Sequence, residues 1–132
     1  MKITADTNIL VRALVQDDPG QSALAVRTLR EAELIAISLP CLCELVWVLR
    51  RVYHFDTTAC ATAIRALIEA ANVAMNRSAT EAGLTVLEAG GDFADGVIVH
   101  EGRWLGGDIF LSFDRKAVKL LAAQGEAAKL LK

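Results

Sequence analysis

Short apolar runs alternate along this chain with longer stretches in which apolar residues recur every three to four positions. Lys2–Ala5 reads as a short buried strand, followed by a helical pattern from Thr7 to about Val15. Asp17, Asp18 and Pro19 supply an N-cap and a proline in the first turn, which predicts a helix to about Ala32. Leu34–Leu39 is strand-like, and Pro40 opens a helix over Cys41–Tyr53. Asp56, Thr57 and Thr58 cap a further helix over 58–71, Asn72–Met75 forms a short strand, and Ser78–Ala89 returns to helical spacing. Gly90 and Gly91 stop that helix; Asp92 starts the next, about 93–105, which Gly106 and Gly107 end. Ile109–Phe113 is strand-like, Asp114 begins a helix to about Ala123, and Glu126–Lys132 is compatible with either a turn or a strand. Strands alternating with helices of 10–15 residues imply βαβ units, a parallel sheet and helices on both faces. The expected fold class is α/β, as a layered sandwich.

No linker, repeat or charge block divides the 132 residues, so a single domain over 1–132 is expected. Apolar residues make up 54% of the chain, which excludes a disordered tail and leaves more apolar surface than a monomer of this size hides easily. A net charge of −2 argues against binding nucleic acid by bulk charge alone. Leu34–Cys43 is too short to cross a bilayer and contains Pro40; Asp6 and Arg12 interrupt the place where a signal peptide needs its apolar core. No membrane association and a cytoplasmic location are therefore expected. The three cysteines, Cys41, Cys43 and Cys60, have neither metal-ligand nor redox spacing and read as small buried thiols.

Four of the sixteen acidic residues carry the chemical question. Asp6 and Asp114 each follow a strand and precede a helix. That suits an N-cap, and it is also where open parallel sheets bind ligands. Asp95 lies three residues after Asp92, as a first-turn acid behind a cap. Glu44 stands inside Leu39–Leu49 among apolar neighbours and is expected to be buried. It then needs a proton, a metal or an ion pair to Arg12, Arg50 or Arg51. Two carboxylates ~4 Å apart repel by about 4 kcal/mol at an effective dielectric of 20, so a cluster of them calls for a cation. Oxygen-only ligands suit Mg²⁺, with Mn²⁺ as the substitute, and such an ion serves phosphodiester hydrolysis. Thr7, Asn8 and Ser112 could hydrogen-bond the ligands or a phosphate, and Asp92 and Asp108 are secondary acids. Arg12, Arg27, Arg30, Arg50, Arg51 and Arg77 are candidate phosphate contacts.

The pieces Ala5-Asp6-Thr7-Asn8-Ile9-Leu10, Glu44 in its early helix, Asp92-Phe93-Ala94-Asp95-Gly96-Val97-Ile98 and Leu111-Ser112-Phe113-Asp114-Arg115 follow in an order that resembles PIN-domain ribonucleases, most closely VapC-type toxins of toxin–antitoxin pairs. Gly96 departs from that pattern, which often has alanine there, and Cys41 and Cys43 are unusual neighbours for Glu44. The resemblance implies a three-layer α/β/α sandwich around a short parallel central sheet. It further implies a Mg²⁺ site of Asp6, Glu44, Asp95 and Asp114, cleavage of RNA by an activated water, and docking of an antitoxin. Leu42, Leu45, Val46, Trp47, Leu49 and Trp104 are then candidates for an antitoxin groove or a homodimer seam. Two other classes remain: phosphotransfer or phosphatase chemistry on a doubly wound sheet, and a non-catalytic protein-binding module. The first lacks an Asp-x-Asp pair, since the chain has Asp6-Thr7-Asn8; the second leaves the four acids without a purpose.

Overall fold

The first strand, β1 (Lys2–Thr4), runs into Asp6, whose extended backbone and side chain begin helix α1 (Thr7–Val15). The computed structural model describes residues 1–132 and is α/β throughout. Asp18 accepts from the Gln21 amide and Pro19 occupies the first turn, so α2 spans Pro19–Glu31 as the pattern predicts. After β2 (Leu34–Ala36), Ser38 accepts from the Cys41 amide, and α3 (Leu39–Arg51) starts before Pro40 rather than after it. Asp56 accepts from the Ala59 amide to begin α4 (Thr57–Glu69), and β3 is only Val73–Ala74. Helices α5 (Arg77–Glu88) and α6 (Phe93–Trp104), strand β4 (Phe110–Ser112), α7 (Arg115–Ala123) and β5 (Ala128–Leu130) complete the chain. The tail left open between turn and strand is a strand.

The chain packs as two compact units, Met1–Arg77 and Ser78–Lys132. In the first, β1, β2 and β3 form a parallel sheet in that order, with Ile3 opposite Ile35 and Ile35 opposite Val73. Helix α1 packs on α2 and α3, and α3 on α4. Leu10, Leu42, Leu45, Leu49 and Ile64 are fully buried there, each contributing about 1.5–3 kcal/mol of apolar burial. In the second unit β4 and β5 form a parallel pair, with Leu111 opposite Lys129, and α7 packs on both. The expected parallel strands are thus present, and they pair as two small sheets, of three and two strands.

Two glycines let α5 and α6 approach closely. A Cβ on Gly83 would fall 2.6 Å from the Phe93 ring, and one on Gly96 would fall 2.4 Å from the Ala82 carbonyl oxygen. Gly96, a departure from the resembled pattern that weakens its helix, is the residue this contact requires.

Candidate functional site

In the first unit the candidate acids are Asp6 and Glu44. Asp6 Oδ1 accepts from the Thr7 amide at 2.8 Å. Asp18, Ser38, Asp56 and Asp114 reach an amide three residues on and Asp92 one two residues on, whereas Asp6 reaches only its neighbour. The carboxylate keeps its remaining lone pairs for other partners, since one amide uses only one of about four acceptor positions.

Glu44 is exposed, which corrects the expectation that its apolar neighbours bury it. The reason is the helical period: Cys41, Leu42, Leu45, Val46 and Leu49 form the buried face of α3, while Pro40, Glu44, Trp47 and Arg51 form the outer one. An exposed carboxylate needs no compensating charge. Two of the three arginines considered for it are engaged elsewhere. Arg12 binds Asp17, Gln21 and Tyr53, and Arg50 donates to Thr57. The same period places Leu42, Leu45, Val46 and Leu49 in the core rather than in a partner seam; Trp47 alone of that group is outside, 58% exposed.

Cys41 links the two acid-bearing segments. Its Sγ donates to the Ala5 carbonyl at 3.6 Å and accepts from Thr7 Oγ1 at 3.6 Å. Burial pushes this thiol up from its ordinary pKa, and the nearby charges of Asp6 and Glu44 push the same way, against the Thr7 hydrogen bond. Thr7 is buried and its hydroxyl is turned to sulfur, so it is not a phosphate contact. Asn8 is exposed. The sequence presents Cys41 as a small buried thiol, and it is buried.

In the second unit Asp92 accepts from the Ala94 amide to cap α6, Asp95 lies in the first turn of α6, and Asp114 caps α7 by accepting from the Ala117 amide. Ser112 Oγ accepts from the Asp114 amide at 2.9 Å, which fixes the start of that cap. Asp95 is half-buried, and its pKa is raised, first by burial and then by the charges of Asp92 and Asp114. Asp108 precedes β4, at the opposite strand end from Asp114, beside a groove of about 590 Å³ lined also by Ile98, Arg103, Ile109, Leu111 and Glu126. It does not join the Asp92, Asp95 and Asp114 set.

No group of three or more His, Cys, Asp or Glu side chains is placed to hold a metal ion. The donors in both units are nonetheless carboxylate oxygens, the chemistry a hard divalent cation takes, and Mg²⁺ commonly uses one or two carboxylates and keeps several waters. Asp95 feels Asp92 and Asp114 because Coulomb repulsion reaches several ångströms beyond coordination distance. Among the candidate phosphate contacts, Arg12 is spent on Asp17, and Arg77 donates to the Ile68 carbonyl of α4 and the Val73 carbonyl of β3. Arg27, Arg30 and Arg51 remain exposed. The three cysteines form no disulfide; Cys41 and Cys60 are buried and Cys43 half-buried. No helix is long and apolar enough to cross a membrane. Comparison with known proteins gives no match, either to a family model or to a curated protein.

Proposed function

We propose that the chain is a Mg²⁺-dependent endoribonuclease, the toxin of a toxin–antitoxin pair, with Asp6, Glu44, Asp95 and Asp114 as the acids on which cleavage depends. The observation that carries this reading is Asp95: a half-buried carboxylate in the first turn of α6 whose ionised form is disfavoured by burial and by the charges of Asp92 and Asp114. Perturbed groups of this kind concentrate at functional sites. The resemblance of the four acid-bearing segments to PIN-domain ribonucleases supports the same reading and brings with it the three-layer α/β/α sandwich.

The residues then divide the work. Asp6 and Asp114 sit just beyond strand ends, each oriented by one backbone amide that leaves the other oxygen for ligands. Asp95 supplies a carboxylate that gains from a cation because its ionised form is disfavoured. Glu44, on the outer face of α3, is accessible to solvent and to a polyanionic substrate. Bound Mg²⁺, or Mn²⁺ in its place, would neutralise phosphodiester charge and acidify a water. The expected partners are RNA, a cognate antitoxin and a second copy of the chain, with the exposed Trp47, Trp104 and Phe113 serving protein contacts. Incubation of the purified chain with end-labelled single-stranded RNA tests the reading. Cleavage should need Mg²⁺, stop in excess EDTA, and fall at least about 100-fold in Asp6→Asn and Asp95→Asn, the scale of losing an essential catalytic group. Cleavage that persists in EDTA, or in folded Asp6→Asn, would overturn it.

A further inference from the structure

We propose that the groove between helix α6 and the start of strand β4 docks a short amphipathic segment of a partner protein, one that brings apolar side chains and a basic one. The inference stands apart from the nuclease reading, since the groove lies at the strand start whereas Asp114 follows the strand end. Its volume of about 590 Å³ falls within the ~300–1,000 Å³ usual for ligand sites. Ile98 lines it from α6, and Ile109 and Leu111 line it from the β4 side. All three are exposed, although apolar side chains gain by leaving water. One charge in the groove is unopposed. Arg103 and Glu126 hold each other, whereas Asp108 is exposed and forms no ion pair. One net negative charge therefore stands among apolar walls, which a basic residue complements and an acidic one does not.

Gly102 separates this groove from a chance hollow. It lies inside α6, where glycine is the poorest helix former after proline. Gly83 and Gly96 answer to packing, because a Cβ on either would collide with a neighbour. A Cβ on Gly102 would meet nothing within 4 Å, and the residue lines the groove. Folding does not ask for glycine at 102; what the missing side chain provides is an open approach to the α6 backbone. Burial of Ile98, Ile109 and Leu111 then supplies affinity, while Asp108 sets orientation and turns acidic segments away.

Fluorescence anisotropy with the purified chain tests this, using a short labelled peptide that alternates leucine and lysine. Two control peptides replace its lysines by glutamate or its leucines by serine. The leucine–lysine peptide should bind saturably, and either control at least about 10-fold more weakly. Gly102→Leu fills the groove while favouring the helix, and should weaken binding of the leucine–lysine peptide at least about 10-fold, as blocking a central contact does. Asp108→Asn should weaken it about 1.5- to 5-fold, the worth of an exposed ion pair, while the exposed Glu69→Gln on α4 leaves it unchanged. Circular dichroism confirms that each variant is folded; should Gly102→Leu fail to fold, Leu111→Ser takes its place with the same expected loss. Absence of binding to the parent, equal binding by parent and Gly102→Leu, or equal binding of the serine control overturns the docking site. Self-association of the parent that Gly102→Leu abolishes, measured by sedimentation, overturns the partner assignment, because the occupant is then a second copy.

Discussion

Asp95 carries a charge that its surroundings oppose, and the cost has a defined pH dependence. Burial, Asp92 and Asp114 all raise its pKa, so the folded chain holds the Asp95 proton more tightly than the unfolded chain does. Above the raised value both states are ionised and the full penalty is present. As the pH falls through the raised value, the folded state takes up the proton first and the penalty is relieved; below the ordinary carboxyl value of 3.8 it is gone. Asp95→Asn should therefore be more stable than the parent at pH 7, with the advantage shrinking through the acid range and vanishing below that value. Urea denaturation across the pH range measures it, and a less stable Asp95→Asn at pH 7 would contradict it. The caps Asp6 and Asp114 and the first-turn acid Asp95 were legible at this scale because each follows a capping or strand-end pattern in the sequence. Burial was not. The apolar letters around Glu44 suggested a buried charge, and only the angular period of α3 shows that it lies with Trp47 on the outer face.

Element boundaries were legible wherever a side chain writes them. Asp18 with Pro19, Asp56, Asp92 and Asp114 each start the helix their position predicts. The ends were as legible: α1 and α7 stop at Val15 and Ala123 as expected, and the other helices end within two residues of the expected places. What no local pattern shows is the contact of Asn72, which donates its side-chain amide to the Leu29 and Ala32 carbonyls at the end of α2, 43 and 40 residues away. Strand pairing was the least legible: β1, expected to be buried, has Lys2 and Thr4 exposed and only Ile3 half-buried, and strands of two or three residues carry little pattern to set a register. Packing between elements also reverses a local preference at Gly96. Alanine there favours the α6 helix by up to about 1 kcal/mol. Its Cβ, however, would fall 2.4 Å from the Ala82 carbonyl oxygen, a backbone atom that cannot step aside. Overpacking of this kind costs about 1–3 kcal/mol, so Gly96→Ala should be net destabilising. A lowered urea midpoint is the expected result, and a raised one would show that α5 and α6 yield easily.

For the whole molecule, the excess of apolar residues divides into two populations that the composition alone cannot separate. Phe93 is 1% exposed and packs on Gly83, whereas Trp104 is 81% exposed, Leu105 89% and Phe113 78%. Side chains so exposed contribute little to folding, so their removal should leave stability almost untouched. Phe113→Ser is expected to shift unfolding free energy by no more than about 0.5 kcal/mol, the usual range for surface changes. Phe93→Ala should cost about 3–5 kcal/mol, through lost transfer energy and the cavity left behind. The pair of denaturation curves therefore tests the partition directly. If Phe113→Ser destabilises as Phe93→Ala does, Phe113 belongs to a core and its exposure is wrong. If it does not, a large aromatic ring remains in water without a role in folding, and its hydrophobic surface is free to bind the protein partner assigned to it above.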